Sequence, residues 1–404
     1  MNVLIVTSTF PQREDDGMPR FVYDLAKAMS RQCRVTVLAP HAHGSPYRED
    51  AGQLTIRRFQ YSWPARTQCL AYGNGMRQNA RLSPVARMQI PAYMASLGWA
   101  VRTCLHRERF DVINSHWMVP QGLAVSLLRR WSAASVHAVT IHAGDLFLLE
   151  RMAMGRRLAR YVASHSDVAL PVATHLAQRL QLMVGGTLPM AVEPMGVDVD
   201  RFAAPPGEDP PRMPFDGKFI LFVGRLVEKK GVAFLLEAMR LLPDALRDTG
   251  LVVIGSGVLA SELRRRARQL GLEARVRFVG SMDHPKMIYY LRGCAVVAVP
   301  SIVDGAGETE GMPTVLVEAL AAGCKVVASR VAGIPDILAE GYNGWMAEPA
   351  NAVDLAAKLA AALDKNVGDI RRNARETALG LDWPCIADRY LNHFSKHLAH
   401  PGRR

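Results

Sequence analysis

Short apolar, β-branched runs alternate with amphipathic stretches along the whole chain. NVLIVTS at residues 2–8 is followed by RFVYDLAKAMSR, whose apolar positions recur at helical spacing, and then by RVTVLAP. DVINSH, AVTIHA and DVALPV continue the series. Near-continuous apolar strands separated by helical segments predict βαβ units on a parallel sheet covered on both faces. The opening MNVLIVTST has neither the basic start nor the long apolar core of a signal peptide, and it is expected to form a first buried strand.

Residues 204–217, APPGEDPPRMPFDG, are rich in proline and lack periodicity, as a linker would be. A second set of units follows at once: KFILFVGRL, the helical GVAFLLEAMRLL, LVVIGSG, the basic ELRRRARQLG, VRFVGS, AVVAVPS and KVVAS. Residues 383–400, WPCIADRYLNHFSKHLAH, have the spacing of a closing helix. Single cores stop growing at roughly 250 to 300 residues, so a chain of 404 residues is expected to hold two. The expected division is an N-terminal Rossmann-like domain over 1–196, a C-terminal one over 197–382, and a closing helix and tail over 383–404.

With 49% hydrophobic and 21% charged residues the composition is that of a globular protein, not a disordered or fibrous one. No apolar run approaches the roughly 18 residues that a membrane-spanning helix needs. The six cysteines show neither CxxC pairs nor zinc spacing, which reads as reduced thiols and a cytoplasmic location. The net charge of +12 is lopsided: residues 1–196 hold 22 Lys+Arg against 12 Asp+Glu, and the remainder 27 against 25. Such a basic half suits an anionic partner, whether a membrane surface, a phosphate-bearing acceptor or nucleic acid, or reflects only an arginine-rich composition. No nucleic-acid recognition module is visible, so no nucleic acid is expected as a partner. In RMAMGRRLARYVAS, Arg151, Arg156, Arg157 and Arg160 lie beside Met152, Leu158 and Val162. This is either a basic face resting on the inner side of the cytoplasmic membrane or an interior helix whose arginines reach solvent.

The chemistry concentrates in ETEGMPTVLVEALAAG, residues 308–323. Gly311, Met312 and Pro313 form a turn before a helix opened by Thr314 and Val315, and a helix start presents unpaired N–H groups that suit a diphosphate. Glu318, one turn inside, has the acceptor capacity a ribose diol needs, and Glu310 can accept from hydroxyls beyond the phosphates. Gly224 and Arg225 follow the strand FILFV, and Lys230 follows in VEKKG, placing a planar fork and a point charge at a strand's carboxyl end. Lys229 is left as a solvated neighbour. Asp198-Val199-Asp200 fits the DxD metal pattern but lies in a turn, and His41 and His43 lack further ligands, so no metal is expected. Gly255-Ser256-Gly257 is expected in a ligand-side loop, and the face carrying Arg264, Arg265 and Arg266 in solvent.

Four motifs in order, strand-GR-x4-K, E-x7-E at Glu310 and Glu318, TIHAGD at residues 140–145 and MGVDVDRF at 195–202, resemble the retaining glycosyltransferases of family 4. The resemblance covers essentially the whole chain. It implies the GT-B fold, an α/β architecture of two Rossmann-like doubly wound parallel-sheet domains facing a cleft, with the C-terminal helix packing back toward the N-terminal domain. It further implies transfer of a hexose-type sugar from a nucleotide-diphosphate sugar to a sugar or lipid-linked acceptor, as in bacterial polysaccharide or glycolipid assembly, without a cofactor. Arg225 and Lys230 would hold the diphosphate, with Gly224 and the Thr314–Val315 helix start beside it. Glu318 would bind the ribose, Glu310 with Gly311 and Met312 the sugar, and His142 would stand over that sugar. Many members carry a double glycine after the first strand, where this chain has Asp16-Gly17-Met18-Pro19-Arg20; Gly17 is the candidate for close phosphate approach, although Pro19 lacks an N–H. An epimerase or phosphorylase on the same fold, or a noncatalytic nucleotide-sugar binder, are the alternatives.

Overall fold

A computed structural model describes residues 1–12, 18–73, 75–128, 131, 135–186, 188–203, 211–364 and 368–399. Gly17 and the first half of the proline-rich segment lie outside the described residues. The chain divides into two compact units, Met1–Pro194 with Trp383–Arg404, and Met195–Asp382.

The first unit is built on seven strands: β1 (Asn2–Val6), β2 (Arg34–Pro40), β3 (Arg48–Ala51), β4 (Leu54–Phe59), β5 (Val112–His116), β6 (Val136–Ile141) and β7 (Val168–Pro171). Their order is β3-β4-β2-β1-β5-β6-β7, and all pairs are parallel except β3 with β4. Without the β3 edge, the order is that of a Rossmann sheet, with the crossover direction reversing between β1 and β5. The opening NVLIV forms the central strand, flanked on both sides and buried, as its unbroken apolar run requires. β3 reads REDA; such charged residues blunt an exposed sheet edge, and they gave no apolar signal to find it by.

The closing helix Trp383–Ala399 belongs to this unit. It packs on helix Phe21–Met29 and on β6, burying Ile386, Tyr390 and Phe394, while His393 Nε2 meets Glu193 Oε1 at 2.7 Å. In helix Gly155–Ser164 the side of Ala159 and Val162 is buried and Arg156, Arg157 and Arg160 are exposed, so its apolar face is used inside the unit.

The second unit carries β8 (Phe219–Val223), β9 (Gly250–Ile254), β10 (Val276–Gly280), β11 (Val296–Val299), β12 (Val326–Ser329) and β13 (Trp345–Ala347) in the order β10-β9-β8-β11-β12-β13, all parallel. The same reversal falls between β8 and β11. Leu235, Leu236 and Met239 of helix Val232–Leu241 pack with Leu355 and Leu359 of helix Ala352–Leu363 on Ile220, Val253 and Val296. Each such side chain contributes about 1.5 to 3 kcal/mol by leaving water. Among the described residues no helix is long and apolar enough to cross a membrane, and the six cysteines are unpaired.

Candidate functional site

In the second unit the polar side chains gather where ligands bind in open α/β sheets, at the carboxyl ends of β8 and β11. β8 leads directly into Gly224-Arg225, and a short turn over Glu228–Lys230 follows. Gly231 closes that turn with φ +66°, and a Cβ there would lie 1.8 Å from the Pro300 carbonyl oxygen. The Lys229 carbonyl accepts from Ile302 N–H at 2.9 Å, which locks the lysine turn to the end of β11. Gly255 and Gly257 do similar work between β8 and β9: Cβ atoms there would sit 1.9 Å from the Gly224 oxygen and 2.4 Å from the Leu226 oxygen. The Gly255-Ser256-Gly257 loop therefore packs backbone against backbone and shapes the edge on which Arg225 stands.

Held in this way, Lys230 Nζ donates to Glu310 Oε2 at 3.0 Å, and Lys229 Nζ lies 3.6 Å from Oε1 and donates to the Thr309 carbonyl at 3.2 Å. Lys229 is thus a member of the cluster, not a solvated bystander. The sequence missed it because a Lys-Lys pair does not say which lysine turns inward. Burial pushes the Glu310 carboxyl up, but Lys230, Lys229 and Arg225 outweigh that and hold it below its usual range. Three cations around one carboxylate leave an excess of two positive charges. Beside them Glu310 Oε1 and the Ser301 hydroxyl are buried without a hydrogen-bond partner among the described residues. Such atoms are costly unless something else binds them.

The next residues lead into helix Thr314–Ala321. Gly311 accepts from Gly333 N–H at 2.8 Å, Met312 and Val315 have buried side chains, and Thr314 is exposed. Met312 and Val315 can therefore offer a ligand only their backbone, whereas Thr314 can offer both. Glu318 is the single charged residue of this apolar helix. Its Oε1 lies 3.6 Å from His284 Nε2, and burial pushes its pKa up to about 7 against the pull of Arg201 and Lys230. His284 went unnoticed in the sequence as a lone histidine opening a helix; Phe202 meets its ring edge-on at 5.9 Å. The MGVDVDRF motif thus supplies Arg201 and Phe202 to the surroundings of Glu318. Asp198 Oδ1 accepts from Arg201 N–H at 3.1 Å, a turn role, and no cluster of three or more His, Cys, Asp or Glu suited to a metal occurs among the described residues. His41 bonds the Ser45 carbonyl at 3.0 Å and stacks on Tyr47.

In the first unit His142 stands between the end of β6 and the start of helix Ala143–Arg151. Its ring lies among Phe21, Trp117 and His116, with centroids 5.1, 4.7 and 5.5 Å away. His142 Nε2 and His116 Nδ1 are 3.2 Å apart, and His116 Nε2 is buried without a partner among the described residues. Orphaned buried N–H groups are rarer than orphaned acceptors. The proton of the pair is therefore assigned to His116 Nδ1, which leaves His142 protonated at Nδ1. Burial lowers both, His142 to about 3, so both rings are neutral near pH 7. Trp117 has φ +75°, a strained value for a bulky residue, and is held by its N–H on the Thr140 carbonyl at 2.9 Å. Asp145 accepts from Met118 N–H at 2.7 Å, and burial raises its carboxyl to about 7. His116 ends β5 and Trp117 follows it, as His142 follows β6, a parallel that the sequence shows only once both strands are placed.

Residues 209–379 match the family Glycosyl transferases group 1, and residues 16–201 match Glycosyltransferase Family 4. The chain is 31% identical to a putative colanic acid biosynthesis glycosyltransferase, WcaL, of Escherichia coli over 63% of its own length and 61% of that relative's. It is 29% identical to the GDP-mannose-dependent alpha-(1-6)-phosphatidylinositol monomannoside mannosyltransferase of Mycolicibacterium smegmatis, over 94% and 93%. Among solved structures, a sucrose-phosphate synthase from Thermosynechococcus elongatus superposes with a TM-score of 0.77 at 19% identity, covering 98% of this chain and 99% of that one, a likeness of fold. With two Rossmann sheets of one topology and matches along both, the chain belongs to the glycosyl transferases of group 1 and family 4, enzymes of the GT-B fold.

Proposed function

We propose that this glycosyltransferase moves a hexose-type sugar from a nucleoside-diphosphate donor to a sugar or lipid-linked acceptor, with retention of anomeric configuration and without a metal. The observation that carries the reading is the cluster of Arg225, Lys229 and Lys230 around Glu310, beside the start of helix Thr314–Ala321. Departure of a nucleoside diphosphate develops negative charge on phosphate, and fixed cations with backbone N–H groups stabilise it as a bound metal would. In this reading Arg225 and Lys230 take the diphosphate, with Gly224 leaving room beside them and Thr314 and Val315 adding N–H groups. Glu318 takes the ribose. Glu310, with the backbone of Gly311 and Met312, takes the sugar hydroxyls, and Lys229 keeps Glu310 ionised when Lys230 turns to phosphate. His142, in the first unit, carries a neutral Nδ1–H suited to donation to a hydroxyl. Attack from the face the diphosphate leaves, with the departing phosphate accepting the acceptor's proton, gives retention without a protein nucleophile.

The similarity to a mannosyltransferase that uses GDP-mannose and to a colanic acid biosynthesis glycosyltransferase supports the donor class and a role in polysaccharide or glycolipid synthesis. Nucleotide sugars incubated with candidate acceptors in excess chelator, with products read by NMR, test the reading. The expected product keeps the donor's anomeric configuration. An inverted product, or activity abolished by chelator, contradicts it.

A further inference from the structure

Between Asp50 and Glu108 the sequence holds eight arginines and no acidic residue. Two of the arginines are committed internally: Arg57 pairs with Glu108 at 2.9 Å, and Arg58 is buried against Glu49 and the Pro11 carbonyl. Arg66, Arg81, Arg87 and Arg102 are exposed. The same segment exposes large apolar side chains: Trp63 is 86% exposed, Met88 80%, Trp99 71%, Leu82 65%, Val85 58% and Ile90 39%.

Part of this stretch is tied together locally. The buried Gln89 donates to the Thr67 carbonyl at 2.6 Å and accepts from Cys69 N–H at 3.1 Å, which ties the Trp63–Arg66 loop to the junction of helices Pro84–Met88 and Ile90–Arg107. Ser83 caps the first of these helices, whose Ala86 points inward while Val85, Arg87 and Met88 point out. In the longer helix Tyr93, Leu97, Val101 and Cys104 face the core. At about 100° per residue, Trp99 and Arg102 then lie on the opposite side.

Exposed Trp, Met and aliphatic side chains interspersed with arginine, with every acid excluded, match the chemistry of a membrane interface. A second copy of the chain is disfavoured as the occupant, because a two-fold contact would set one arginine-bearing stretch, without an acid over residues 51–107, against another. A nucleic acid would leave Leu82, Val85 and Met88 without a function. We propose that this face of the first unit docks on an anionic lipid bilayer, with the apolar side chains entering the headgroup boundary and the arginines on lipid phosphates. The docking surface is then distinct from helix Gly155–Ser164, whose apolar side is already buried.

Flotation of the full chain with phosphatidylcholine vesicles, with and without phosphatidylglycerol, tests it. Binding is expected only with the anionic lipid, falling with salt and accompanied by a blue shift of tryptophan emission. Met88→Glu and Trp99→Glu, both at exposed positions, are each expected to lower the partition coefficient about tenfold or more at unchanged thermal midpoint. The pair Arg156→Gln and Arg157→Gln is expected to change it less than about twofold. Absence of binding to anionic vesicles at low salt, full binding by the Met88 and Trp99 variants, or loss of binding in the Arg156 and Arg157 variant alone would overturn the proposal.

Discussion

Glu318 shows how one residue reports on a site through its cost. It is set in a helix whose other residues are apolar or Thr, with His284 3.6 Å away, and burial raises its carboxyl from the usual 4.5 to about 7. A carboxyl raised on folding contributes its stability fully below the unfolded value, and that contribution is lost as pH rises through the folded one. The ligand-free protein therefore loses stability across the window from about 4.5 to about 7, by at most about 3 kcal/mol from this group. Glu318→Gln is expected to match the wild type at acid pH and to be the more stable of the two above neutrality, as read by thermal unfolding across pH. Parallel pH profiles would show that the carboxyl is not held in this state. Ribose hydroxyls donating to the carboxylate would relieve the same cost, so protection by nucleotide should grow with pH in the wild type and not in the variant.

At the scale of elements, the strand ends are set by glycines that admit a second backbone. Gly231 combines φ +66° with a Cβ position 1.8 Å from the Pro300 oxygen, whereas Gly271 has φ +69° and open space. Gly271→Ala is expected to cost only the left-handed strain, about 1 to 2 kcal/mol. Gly231→Ala must also part the lysine turn from β11, and is expected to cost about 3 kcal/mol or more and to weaken turnover. Urea midpoints of the two variants check this, and equal shifts would contradict the close approach. The buried parallel strands and the helices between them were legible because an apolar run enclosed on both faces has few other solutions. The polar edge β3 and the inward turn of Lys229 were not, since both depend on tertiary neighbours. Arg225, Lys230, Glu310 and Glu318 were legible as a set from motif order, but the direct pairing of Lys230 with Glu310 was not. His116 could not be linked to His142 before β5 and β6 were placed side by side.

For the whole molecule, the same six-strand order appears twice once the β3 edge is set aside, with the polar cluster in the second unit at the reversal point between β8 and β11. The excess positive charge lies in the first half of the sequence, while the second is nearly balanced, so anion binding in the second unit must come from placement of a few side chains and not from net charge. That distinction can be measured directly. Calorimetric titration of uridine and guanosine diphosphates, in chelator and at moderate salt, into the wild type and into the Arg225→Ala/Lys230→Ala double variant compares the site with the bulk charge. Binding of at least one nucleoside diphosphate by the wild type is predicted. The double variant is predicted to bind it at least about 100-fold more weakly, since each charge-assisted phosphate contact contributes about 1.5 to 3 kcal/mol. Failure of the wild type to bind either nucleotide, or equal affinity in the double variant, would contradict the account.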